Sequence, residues 1–232
     1  MFLVSKTING NIIALTYCMI LRLSILSILA GITLIGQPVS IGVKAGVPIT
    51  DAFETLRGNS SAYSTNTKRY LIGPTVQFNF GSHFALEGDL LYKRLGYQYD
   101  LASTGQSVYA KTVANSWEVP VLGKFMILPG PVRPFVSAGG AFRHISGIDQ
   151  FRNTVNAGLN PVGVRINSAT EFNRRNDIGA VFGGGVEFKI GRVRVTPELR
   201  YTRWGSESFR DPINLLLRTN RNQGDFILGF TF

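Results

Sequence analysis

Beyond residue 38 the chain is written almost entirely in period two, the spacing at which successive side chains of a strand fall on opposite faces. Ser40 to Val47 sets Ile41, Val43, Ala45 and Val47 against Gly42, Lys44 and Gly46. A second strand, about 69–80, sets Tyr70, Ile72, Val76, Phe78 and Phe80 against Gly73, Thr75, Gln77 and Asn79. The third begins at His83 and opposes Phe84, Leu86, Leu90 and Tyr92 to Glu87, Asp89, Leu91 and Lys93. Leu95, Tyr97 and Tyr99 then continue the aromatic row on the other parity, which predicts a bulge near Arg94–Gly96. The fourth, about 114–128, sets Trp117, Val119, Val121, Phe125 and Ile127 against Ser116, Glu118, Leu122 and Lys124, with Pro120 awkward inside a ladder. The fifth, about 132–146, carries Val136, Ala138, Gly140 and Phe142 opposite Arg133, Ser137 and Arg143. In the sixth, about 177–190, Ile178, Ala180, Phe182, Val186, Phe188 and Ile190 oppose Gly179, Gly183, Gly185, Glu187 and Lys189. The seventh opposes Val193, Val195, Leu199 and Tyr201 to Arg194, Thr196, Glu198 and Arg200, and the last opposes Phe226, Leu228, Phe230 and Phe232 to Asp225, Ile227, Gly229 and Thr231.

Between these strands, polar stretches at 48–68, 100–113, 147–176 and 205–222 alternate with the tight turns Gly81-Ser82, Pro129-Gly130-Pro131 and Gly191-Arg192. All short connections therefore fall on one rim and all long ones on the other. The pattern predicts an all-β fold, an eight-stranded antiparallel up-and-down transmembrane β-barrel.

Orientation follows from bulk. An eight-strand bore is just wide enough for one layer of side chains, and eight faces of Phe, Tyr, Leu, Ile and Val do not fit in it. Turned outward they form a lipid-facing band, and the opposite faces then fill the lumen. Lys44, Glu87, Asp89, Lys93, Glu118, Lys124, Glu187, Lys189, Arg194, Glu198 and Arg200 are expected to pair there, since a buried charge needs an opposite partner. Two aromatic girdles are expected at headgroup level: Tyr70, Tyr97, Tyr99, Trp117, Trp204 and Phe226 on the loop side, and Phe80, Phe84, Phe125, Phe188 and Phe232 on the turn side.

The N-terminus reads differently. Arg22 precedes the apolar run Leu23–Ile35 and the small-polar exit Gly36-Gln37-Pro38, the layout of a secretory signal peptide, with the residues before Met19 as an upstream extension. Residues 1–37 are expected to be the leader and 38–232 the barrel domain. Cys18, the only cysteine, lies in the leader, so thiol chemistry and disulfides are excluded from the body. The net charge of +10 falls to +8 without Lys6 and Arg22. Exported, such a chain meets phosphate-rich leaflets rather than nucleic acid.

The phrases Ile41-Gly-Val-Lys-Ala-Gly-Val-Pro48, Trp117-Glu-Val-Pro-Val-Leu-Gly-Lys124 and Arg133-Pro-Phe-Val-Ser-Ala-Gly-Gly140, with the Phe232 ending, resemble the bacterial outer-membrane β-barrel domain family and are similar to the small OmpA- and OmpX-type barrels. The alternating Phe226, Leu228, Phe230 and Phe232 resemble the C-terminal aromatic signal by which such chains are marked for insertion. The resemblance implies the cell outer membrane of a Gram-negative envelope, with the barrel assembly machinery, outer-membrane lipids and lipopolysaccharide as partners, and a monomer.

Candidate chemistry is sparse. His83 and His144, the only histidines, are expected at opposite ends and cannot share a metal. His144 with Ser146 and Asp149 could form a lipid-modifying triad, but neighbours along a strand alternate faces. No catalytic residue, metal site or cofactor is assigned. Arg152, Arg165, Arg174, Arg175, Arg210, Arg218 and Arg221 in the long loops are candidate contacts for phosphorylated lipopolysaccharide. The expected role is a non-catalytic envelope structural or surface-interaction protein with a plugged polar lumen. The alternatives are a narrow channel, an outer-membrane lipid-modifying enzyme, and a secreted soluble barrel carrying an apolar ligand.

Overall fold

In the computed structural model, strand β1 (Val39–Pro48) pairs on one side with β13 (Asn222–Thr231) and on the other with β4 (Leu71–Phe80), so the first and last strands meet and the sheet closes. Between them the ring runs through β5 (Phe84–Asp89) and β6 (Leu91–Ser103), which together make one wall, then β7 (Gln106–Met126), β8 (Val132–Asn156), β10 (Asn176–Ile190) and β11 (Val193–Trp204). This is an eight-stranded antiparallel barrel, and closure leaves its wall without a free edge. The structure describes residues 39–55, 61–103, 105–156, 160–167, 169–210 and 216–232, and the expected leader with Cys18 and Arg22 lies outside them.

The rows face as parity requires. Ile178 is 70% exposed and Phe182 55%, with Ile41, Ile72, Val121 and Leu199 beside them in an outward apolar band, while Lys44, Glu87 and Glu198 are buried in the bore. Backbone groups in such a band are satisfied only by neighbouring strands, which is why a closed barrel is one of the two structures that cross a bilayer.

Several expectations change. The parity of β5 and β6 does not slip at Arg94–Gly96; Leu95 and Tyr97 continue the inward row of Glu87, Asp89 and Lys93 and are buried. The wall is interrupted instead at Leu90. Pro74 on one neighbour and Pro120 on the other have no N–H to give there, and Leu90 N donates to Pro74 O at 3.0 Å. The bulge lies farther along, between Val113 and Asn115 of β7, where β8 carries the extra residue around Gly147. Gly147 has φ of 57°, a left-handed conformation that other residues resist. Trp204 also leaves the expected girdle: it is 0% exposed, on the inward face of β11.

The long connections are more ordered than polarity suggests. The β6–β7 hairpin stays paired to Ser103↔Gln106, and the β7–β8 hairpin to Gln106↔Asn156. Strand β3 (Ser61–Thr65) adds to β6, β9 (Val162–Ile166) adds to β8, and β2 (Phe53–Thr55) pairs with β12 (Leu217–Thr219). Thus most of 100–113, and residues 147–156 and 162–166 of the expected 147–176 loop, are strand. Above the bilayer a strand needs no apolar outer face, so its sequence reads as polar coil.

Candidate functional site

The bore is filled in three zones by residues that the one-sided strands aim inward. In the middle, Lys44 of β1 meets Glu87, Asp89 at 3.3 Å and Glu198 at 3.1 Å. Arg200 meets Glu87 at 3.4 Å, Asp89 at 2.9 Å and Glu198 at 3.1 Å, and Lys124 meets Glu87 at 2.9 Å. Three acids thus face three bases, all buried, with Thr75 donating to Asp89 and Lys124 donating to Gln77. Balance matters because a buried charge survives only when paired and hydrogen-bonded. Room is made by glycine: a Cβ at Gly183 would lie 2.9 Å from Glu198 Oε1 and 2.6 Å from Ser137 Oγ.

Flanking sets repeat the rule. Lys93 bridges Glu118 at 3.0 Å and Asp225 at 2.9 Å, and Arg143 meets Asp177 at 3.0 Å while lying over the Trp204 ring at 4.1 Å. Toward the turn side, Glu187 takes Arg133 and, at 3.6 Å, Arg194. Of the eleven residues expected in the network, ten stand in these pairs; Lys189 is exposed at the turn rim, opposite Arg194 in register, and is not among them. Asp177 and Asp225 were not assigned to the network from the sequence, although each sits on the inward parity of its strand. Apolar side chains share the bore as well. Phe135, Met126 and Ala85 pack at the turn side, with Lys124 Nζ 4.0 Å from the Phe135 ring centre, and Leu122, Ala141, Val181 and Trp204 form a second cluster.

The loop-side mouth is roofed. Phe53, Tyr63, Leu95, Tyr97, Ile145, Ala169, Phe209 and Leu217 form one buried apolar cluster, drawn from the stretches 48–68, 147–176 and 205–222 and from the loop-side ends of β6 and β8. Glu171, buried beside it, is held by Tyr63 OH and Tyr97 OH, each donating at 3.1 Å. Burial, and then the charge of Glu171, push the Tyr97 phenol well above the ordinary tyrosine range, so it remains a donor.

Outside, Tyr70, Tyr92 and Trp117 form a ring row, with Tyr92 and Trp117 centroids 5.0 Å apart, at the loop-side limit of the apolar band. Phe84 and Phe125, 5.2 Å apart, mark the other limit. Phe226, Phe230 and Phe232 are exposed on the outer face, with Leu228 half-buried on the same face. His83 lies by Ser82 and Phe125, and His144 Nδ1 shares a 2.7 Å hydrogen bond with Asn176 rather than joining Ser146 and Asp149. The loop arginines do not gather into one site, although Arg174, Arg210 and Arg221 line a common cleft. Arg218 is paired with Glu54, Arg210 with Glu207 at 3.8 Å, Arg221 donates to Trp204 O, Arg152 to Gln150, Arg174 to Ser206, Arg175 lies 5.6 Å from the Phe172 ring centre, and Arg165 is exposed on β9.

Three comparisons bear on this geometry. Comparison with curated protein sequences returns no match. Among solved structures the chain is similar to OprG of Pseudomonas aeruginosa, at 11% identity and TM-score 0.50, over 83% of this chain and 92% of that one. It is also similar to Ail of Yersinia pestis, at 12% identity and TM-score 0.36 over 83% and 98%, and to Neisserial surface protein A, at 11% identity and TM-score 0.34 over 83% and 95%. The outer membrane protein beta-barrel domain matches residues 35–205. With an apolar outer band, two aromatic limits and a closed eight-stranded wall, the protein resides in the outer membrane. The chain belongs to the outer membrane protein beta-barrel domain family.

Proposed function

We propose that this protein is a closed, non-conducting and non-catalytic barrel that serves the envelope as a structural element and as a surface for contact with the phosphorylated outer leaflet. The observation that carries the reading is the stoppered bore: the Lys44, Lys124 and Arg200 cations lie within 3.4 Å of Glu87, Asp89 or Glu198, and an apolar roof lies over the mouth. A hydrated ion entering such a bore would have to break buried, mutually compensated pairs, each costly to leave unmatched. The closed wall, without an open strand edge in the barrel, supports a monomer. Phe226, Leu228, Phe230 and Phe232 on the outer face are where the assembly machinery would recognise the last strand.

In planar bilayers the purified protein is expected to give no stable conductance steps. Steady, reproducible openings by the wild-type protein would contradict the reading and favour the channel. Lys44→Ala, which leaves Glu87, Asp89 and Glu198 one cation short, is expected to admit water and produce transient flickering.

A further inference from the structure

Three of the seven loop arginines, Arg174, Arg210 and Arg221, line one cleft, and three other cations converge on a second. On the outer wall next to Tyr70, a cleft of about 350 Å³ is lined by Lys68, Arg94 and Lys111 together with Asn66, Tyr70 and Val113. Its construction is specific. After β3 leaves β6 at Thr65↔Tyr97, Asn66 N donates to Gly96 O at 2.8 Å and Lys68 N donates to Arg94 O at 3.1 Å, which holds Lys68 beside Arg94. Gly96 permits that approach, since a Cβ there would lie 2.8 Å from Asn66 O. Lys111 and Val113 come from the outward parity of β7, Val113 opposite Gly96 in register. All three cationic residues are exposed, and no carboxylate lines the cleft. Among the described residues none of the three stands in an ion pair, whereas the surface cations Arg69, next to Lys68 in sequence, and Arg218 are matched by Asp51 and Glu54.

Three like charges converging on one concavity repel each other, and an anion relieves that repulsion. A guanidinium offers a fork and two ammonium groups offer point charges, the combination suited to a phosphate group. The neighbouring Tyr70 stands in the aromatic row, the level at which headgroups lie. The other basic cleft, about 400 Å³ around Arg174, Arg210 and Arg221, includes Glu207 in its lining and is the weaker anion site. We propose that the cleft of Lys68, Arg94 and Lys111 binds a phosphate monoester, supplied by the headgroup of an outer-leaflet glycolipid. The proposal rests on the reading that the rim contacts a phosphorylated leaflet, and it assigns that contact to one site.

The test uses the full barrel in phosphatidylcholine nanodiscs, probed by native mass spectrometry with diphosphoryl lipid A and with its dephosphorylated form. The wild type is expected to hold the phosphorylated lipid at least tenfold more tightly, and Lys68→Gln/Arg94→Gln/Lys111→Gln to lose that preference. Arg174→Gln/Arg210→Gln/Arg221→Gln is expected to keep it. Heat-modifiable gel migration checks that both variants close. If the wild type prefers neither lipid, the reading of a phosphorylated-leaflet contact fails. If it prefers the phosphorylated lipid and the first variant does so equally, the cleft assignment alone is overturned. Inorganic pyrophosphate provides the second arm: displacement of the lipid by millimolar pyrophosphate would identify a soluble phosphate as an adequate occupant of the same site, and failure to displace it would tie the site to the lipid-borne group.

Discussion

Arg200→Met is expected to destabilise the barrel by about 3–5 kcal/mol, the scale of breaking a buried ion-pair network by removing one partner. Arg200 meets all three central acids, at 3.4, 2.9 and 3.1 Å. Its loss leaves Glu87, Asp89 and Glu198 to Lys44 and Lys124, with one carboxylate charge uncompensated inside the wall. Reversible urea unfolding in lipid vesicles measures the change. Lys189→Met is the control, expected to fall within roughly 0.5 kcal/mol of wild type because the residue is exposed at the rim outside the network. Equal stability of Arg200→Met and wild type would mean that the charges in the bore are solvated rather than mutually paired.

The second large effect lies on the opposite face. Val121→Arg is expected to cost about 2–4 kcal/mol in a bilayer, the penalty for a cation at mid-depth on the lipid side of a barrel. Val121 is half exposed, lies on β7 midway between Trp117 and Phe125, and is flanked in register by Gly88 and Gly140, so no directly facing side chain covers it. The same unfolding experiment in vesicles tests it. On a water-facing surface the substitution would be nearly neutral, so a change within about 0.5 kcal/mol would argue that this face meets solvent.

Much of this architecture was legible because a barrel wall is one layer thick. Each inward residue is fixed by its parity once the bulk of the apolar faces sets which side is inside, and Lys44, Glu87, Lys124, Glu198 and Arg200 could be placed in the bore on those two grounds. The errors came where a second expectation displaced that rule. Tyr97 shares the parity of Glu87, Asp89 and Lys93, and Trp204 that of Glu198 and Arg200, so both belong inside; the slip expected at Arg94–Gly96 moved Tyr97 out, and the expected girdle moved Trp204 out. The structure uses both rings inside, where Arg143 covers Trp204 in the bore and Tyr97 holds Glu171 at the mouth.

Which charges meet could not be read, because pairing across the bore depends on the stagger with which β1 and β13 close, a property of the whole ring. Lys189 shows the limit of parity: it points as Glu187 does, but two residues nearer the turn it has already left the bore. The basic cleft was hidden for a different reason. Lys68, Arg94 and Lys111 are scattered in sequence and come together only because 61–68 folds back along β6. A polar stretch that pairs as a strand carries no apolar alternation, so nothing in its sequence announced that course.

The two tryptophans provide the most direct measurement of which way the rows face, since Trp117 stands 40% exposed in the outer ring row and Trp204 is buried in the bore. In vesicles of brominated phospholipid, the emission of Trp204→Phe, which retains Trp117, is expected to be strongly quenched, whereas Trp117→Phe, which retains Trp204, is expected to be quenched little by bromine or by aqueous acrylamide. Strong bromine quenching of Trp204, with Trp117 accessible only to acrylamide, would contradict the assignment of the apolar rows to lipid and the charged rows to the lumen.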